Sequence, residues 1–117
     1  MSKLNMTNWL LPTILLFGGV VGGCSHSQEP EQQSIRIEVA LQQMQFMPSE
    51  ISVHAGDTVV FTNKGIVIHD ITEETGKSWT SGPIPAGESF ELVVQENVQY
   101  YCSLHPIMKG KITVLHP

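Results

Sequence analysis

The chain has 117 residues, room for one small domain, and carries six basic against eleven acidic side chains for a net charge of −5. That balance excludes the basic surface with which nucleic acid or anionic lipid headgroups would be bound. Only two cysteines are present, Cys24 and Cys102.

Residues 1–23 do not read as part of the domain. Lys3 precedes an apolar run from Trp9 to Val21, with no Asp, Glu, Lys or Arg between Lys3 and Glu29. The run is short for a membrane span and suits an export signal. Val21-Gly22-Gly23-Cys24 resembles the lipobox of bacterial lipoproteins, in which the cysteine is acylated and becomes the new N-terminus. Ser25 after it resembles outer-membrane sorting. An ordinary secretory signal with an incidental cysteine is the alternative. The expected location is therefore the cell envelope, anchored by lipid to a membrane and facing the periplasm.

Residues 24–34 hold the lipidated Cys24 and then Ser-His-Ser-Gln-Glu-Pro-Glu-Gln-Gln-Ser, a polar stretch without aliphatic residues that reads as a flexible tether. His26 within it, and His116 near the other end, read as solvated. The folded domain is expected over residues 35–117, with nine acidic and five basic residues and a net charge of −4.

Within the domain, apolar residues recur with period two. Ile35, Ile37, Val39 and Leu41 share one face, and Thr58–Thr62 and Ile66–Ile71 are rich in β-branched residues. Phe90, Leu92 and Val94 repeat the alternation, as do Val98, Tyr100 and Cys102, then Ile112 and Val114. Turn residues punctuate the segments at Ala55-Gly56-Asp57, Asn63-Lys64-Gly65, Thr75-Gly76-Lys77, Pro85-Ala86-Gly87 and Lys109-Gly110. No stretch carries helical periodicity with caps. The reading is all-β: an antiparallel Greek-key sandwich of seven or eight strands.

Met44 and Met47 lie three apart, which on a strand sends them to opposite faces, so they are not expected to share a ligand. His54 abuts the Gly56 turn and reads as a solvated loop residue. His69-Asp70 lies within the Ile66–Ile71 segment, flanked by Val67, Ile68 and Ile71.

The densest chemistry comes last. Cys102-Ser103-Leu104-His105-Pro106-Ile107-Met108 sets a thiolate, an imidazole and a thioether within seven residues. A thiolate with two imidazoles in a trigonal plane and a weak axial thioether is the ligand set of a blue-copper electron-transfer site. His69 is the natural second imidazole. A lone thiol in an exported protein also calls for an explanation, and metal ligation supplies one. A Cys24–Cys102 disulfide is the competing account.

Cys-x2-His-Pro-x-Met followed by a basic residue and Gly resembles the copper loop of the cupredoxins, closest to amicyanin and plastocyanin-like proteins. Phe46-Met47-Pro48 through Gly56-Asp57 to Asn63 is similar to that family's N-terminal signature. The resemblance implies a cupredoxin-like sandwich with one mononuclear type 1 copper on His69, Cys102, His105 and Met108. Asp70 stands where relatives carry Asn, and it is expected to brace the site from behind. Four protein ligands leave no open position for substrate, so the chain is expected not to be an enzyme. The expected role is single-electron shuttling, as a monomer, between a protein donor and acceptor that the sequence does not name. A copper carrier or resistance factor using the same site is the alternative. Pro106 and Ile107, with Ile84 and Pro85 from a loop at the same end, are expected to form the apolar docking patch.

Overall fold

The structure, a computed structural model, describes residues 16–116. It divides into two units, residues 1–31 and 32–117. In the first, the described residues 16–31 form neither helix nor strand and are exposed. The start of the expected export signal, residues 1–15, lies outside the described residues. Among the described residues no helix is long and apolar enough to cross a membrane.

The second unit holds eight strands: β1 (Arg36–Gln42), β2 (Gln45–Met47), β3 (Glu50–His54), β4 (Thr58–Asn63), β5 (Thr72–Glu73), β6 (Ser89–Val93), β7 (Val98–Cys102) and β8 (His105–Leu115). They form two four-stranded sheets, in the orders β2-β1-β4-β6 and β3-β8-β7-β5. The all-β sandwich is as expected, but its sheets are mixed. β1 runs parallel to β4, and β3 parallel to β8. After the β1–β2 hairpin the chain passes through Pro48 and Ser49 into the other sheet as β3 and returns to the first sheet as β4, beside β1.

The alternation in the sequence sorts the faces. Val39 and Leu41 of β1, Phe46 of β2, Val53 of β3, Val59 and Phe61 of β4, Tyr100 and Cys102 of β7, and Ile112 and Val114 of β8 are buried between the sheets. Phe46 and Phe61 meet Tyr100 edge-on, with ring centroids 4.9 and 5.1 Å away, the arrangement that aromatic quadrupoles favour. The segment Ile66–Ile71, read as a strand, is instead a loop in which Ile66 is 94% exposed. Asn63 and Gly65 divert the chain before the β-branched run can pair.

Gly110 is the glycine that the packing demands. It lies opposite Tyr100 in the β7–β8 register, and a Cβ there would sit 2.2 Å from Tyr100 Cζ. The ring fills the space a side chain would take, and its hydroxyl is buried without a hydrogen-bond partner among the described residues. Burial pushes that phenol well above its ordinary range. Gly110→Ala should therefore lower stability by about 1–3 kcal/mol through overpacking, read as a shifted urea midpoint of the metal-free protein. A midpoint equal to wild type would show that Tyr100 can swing aside freely.

Candidate metal centre

Asn63 ends β4 and organises the loop that presents His69. Fully buried, its amide donates to the carbonyls of Val67 (2.7 Å) and Ile84 (2.9 Å), while its Oδ1 accepts from Gly65 N–H (3.0 Å). One side chain thus joins the end of β4, the 64–68 loop and the Pro83–Pro85 segment. His69 then exchanges backbone hydrogen bonds with Ile84: Ile84 N–H donates at 2.7 Å and His69 N–H at 3.3 Å. His69 is held by this isolated bridge rather than by a regular strand.

The β7–β8 hairpin supplies the rest. Cys102 ends β7 and pairs with His105 at the start of β8, so Ser103 and Leu104 form the turn. The preceding pair is Tyr101 with Lys109, which leaves Pro106, Ile107 and Met108 as extra residues on β8. This bulge turns Pro106 and Ile107 outward and buries Met108. The spacing Cys-x2-His-x2-Met is, in structure, a tight turn followed by a bulge.

His69, Cys102 and His105 bring their donor atoms within 4.8 Å of one another. The two Nδ1 atoms are 3.2 Å apart, and Cys102 Sγ lies 3.8 Å from His69 Nδ1 and 3.7 Å from His105 Nδ1. Separations of this size would let one small ion be held jointly by the two nitrogens and the sulfur. The residues fit the group their chemistry implies. Burial, and then the neighbouring His105, push His69 below the ordinary histidine range, which favours the neutral imidazole a metal needs. His69 is only 2% exposed, whereas His105 is half-buried, so one ligand edge approaches the surface.

Asp70 lies behind the centre. Its Oδ1 accepts from Ser103 N–H at 2.6 Å and from Thr72 Oγ1 at 3.3 Å, and its Oδ2 accepts from the Ser103 hydroxyl. Its own backbone N–H points at Cys102 Sγ, 3.4 Å away. The carboxylate therefore clamps the residue after the cysteine to the residue after the histidine. Cys24 is an exposed free thiol and Cys102 a buried one.

The expected docking patch is corrected at one position. Ile107 is 85% exposed and Pro106 is exposed, while Pro85 is half-buried. Ile84, however, is only 3% exposed, because its backbone is bridged to His69 and its side chain joins the core. Ile66, Val67, Ile68 and Leu104, not singled out in the sequence, are exposed apolar residues of the loop before His69 and of the Cys102–His105 turn. The signal that could have found them is Asn63-Lys64-Gly65, a turn directly before an apolar run. His54 ends β3, with its N–H on Asp57, and takes no part in the cluster.

An eight-stranded two-sheet sandwich that gathers a His-Cys-His donor triangle, with a buried methionine three residues after the second histidine, offers a candidate site for one soft metal ion. The chain belongs to the cupredoxin-like domain family, whose model matches residues 13–114. Amicyanin of Paracoccus denitrificans is 30% identical over 84 residues, covering 67% of this chain and 64% of that protein. Chloroplastic plastocyanin of Fritillaria agrestis is 38% identical over 85 residues, covering 59% of this chain and 51% of its own length. A solved structure of the Cu(I) form of an amicyanin variant is 25% identical with a TM-score of 0.65, covering 73% of this chain and 87% of the other. The chain spans 64% of the length of the Paracoccus amicyanins it matches.

Proposed function

We propose that the protein is a one-electron carrier with a single type 1 copper held by His69, Cys102, His105 and Met108. The observation that carries this reading is the triangle of Sγ and two Nδ1 atoms at 3.2–3.8 Å, two corners of which stand on a hairpin that also buries Met108. Copper bound there supplies a Cu(II)/Cu(I) couple. The residues do the rest. The hairpin turn, the His69–Ile84 bridge and the Asp70 clamp hold the donors in place in either oxidation state, which keeps reorganisation small. Burial of His69, Cys102 and Met108 excludes water, and four protein donors leave no position for a substrate, so the role is transfer rather than catalysis. Oxidised protein loaded with one equivalent of copper should be intensely coloured and should bleach on reduction. A colourless oxidised protein would overturn the reading.

Electrons pass through the exposed apolar end around His105, formed by Pro106, Ile107, Leu104 and the Ile66–Ile68 loop. Weak redox encounters use small interfaces, and the acidic remainder of the domain steers a basic partner. Ile107→Lys should slow transfer to the partner several-fold with spectrum and potential unchanged. Wild-type rates in both Ile107→Lys and Ile66→Lys would place docking elsewhere.

In this reading residues 1–23 are an export signal, Cys24 is the lipidated residue, 24–34 is the tether, and 35–117 works as a monomer in the periplasm. Exposure of Cys24 among residues without helix or strand supports an accessible anchor. Cys24→Ala should leave an uncleaved or mislocalised precursor. Recovery of the wild-type protein free of lipid in the soluble fraction contradicts the anchor. A copper-handling role is favoured by one further feature, the exposed methionines treated next.

A further inference from the structure

An open groove of about 820 Å3 runs between the β1–β2 hairpin and the start of β8, and Gln42, Met44, Met47, Ile107 and Met108 are among its lining residues. The strand alternation that separates Met44 from Met47 in the sequence does not hold here. Gln42 pairs with Gln45, so Gln43 and Met44 close a two-residue hairpin, both with left-handed φ of 53° and 58°. Such turns favour Asn-Gly, and a side chain like that of Met holds this conformation at a cost of about 1–2 kcal/mol. The turn puts Met44 and Met47 along one groove, 40% and 39% exposed, instead of on opposite faces. Gln42 Nε2 lies 3.5 Å from Met47 Sδ and orients that thioether.

Uncharged, polarizable thioethers select soft Cu(I) over the harder divalent ions. The lining includes one cation, Lys109, and it is paired with Glu74 rather than free to repel a metal ion. The groove wall includes Met108, the buried methionine three residues after His105 in the β8 bulge. We propose that Met44 and Met47 form a surface Cu(I) site, from which a cuprous ion passes to the buried centre. The transfer is ligand exchange: thioether–copper bonds break, the Cys102 thiol gives its proton to solvent as its sulfur takes the copper, imidazole bonds form, and the oxidation state does not change. Two neutral donors hold the ion weakly enough to release it. The surface site stands on the groove alone, while its role in loading rests on the copper reading above.

The test is an anaerobic titration of the full-length protein with Cu(I) in competition with a chromophoric Cu(I) chelator of moderate affinity. Wild type should withdraw two equivalents, one tightly and one weakly. The Met44→Leu/Met47→Leu double variant, apolar and of similar volume, should lose the weak equivalent, keep the tight one, and load it several-fold more slowly. With the redox-inert probe Ag(I), the methionine ε-methyl NMR signals of Met44 and Met47 should shift after the tight site is filled. A wild type that holds one equivalent only, or a double variant that still holds two, overturns the proposal. Loss of the tight equivalent in wild type would instead overturn the reading of the buried centre, so the two failures are distinguishable.

Discussion

Cys102→Ser should abolish the visible colour of the copper-loaded protein while leaving the fold intact. The intense absorption of such a centre comes from charge transfer between a thiolate and copper, and a serine hydroxyl is neither soft nor ionised at neutral pH. The other donors remain, so some copper still binds, but with affinity reduced by more than about 100-fold, the upper range for loss of an outer partner. The fold should survive because the replacement is nearly isosteric and the Asp70 N–H that faces Cys102 Sγ can donate to the new oxygen. Far-UV circular dichroism checks the fold, and the visible spectrum with a chelator competition checks the site. An unaltered spectrum in this variant would falsify the assignment of the centre.

Replacing Asp70 should have the second largest effect, and its two variants separate structure from electrostatics. Asp70→Ala removes the acceptor for Ser103 N–H, the Ser103 hydroxyl and Thr72, leaving part-buried donors unpaired beside the hairpin. The two hydrogen bonds from Ser103 alone, made to a charged group, amount to about 3–6 kcal/mol, to be read from the denaturant midpoint of the metal-free protein. Asp70→Asn keeps an acceptor for Ser103 N–H and adds a donor for its hydroxyl, so stability should fall far less. It also removes a negative charge close to Cys102. A carboxylate there favours Cu(II), so the Asn variant should show a higher reduction potential than wild type. If Asp70→Ala unfolds at the wild-type midpoint, the clamp contributes nothing. A potential unmoved by Asp70→Asn would mean that the charge is screened from the metal.

Most of the candidate donor set was legible in the sequence because three of its four members are close in the chain. Cys102, His105 and Met108 lie within one hairpin and its bulge, so their spacing already carries most of the geometry. The strand faces were legible for the same reason: a period of two needs only the pleat, and Val39, Leu41, Phe61, Tyr100 and Ile112 are buried as the alternation implies.

What depended on distant segments was not legible. The run from Ile66 to Ile68 has the composition of a strand, yet it is an exposed loop because the buried Asn63 amide ties it to Val67 and Ile84, the latter 21 residues away. Ile84, flanked by prolines and expected at the surface, is drawn inward by its bridge to His69. Met44 and Met47 share a groove only because a left-handed two-residue turn interrupts the strand on which alternation would have parted them. Residue types and short spacings marked the candidate donors of the hairpin and the core. Long-range hydrogen bonds and backbone conformation, which no single stretch of sequence encodes, decided which apolar residues surround the centre and meet the solvent.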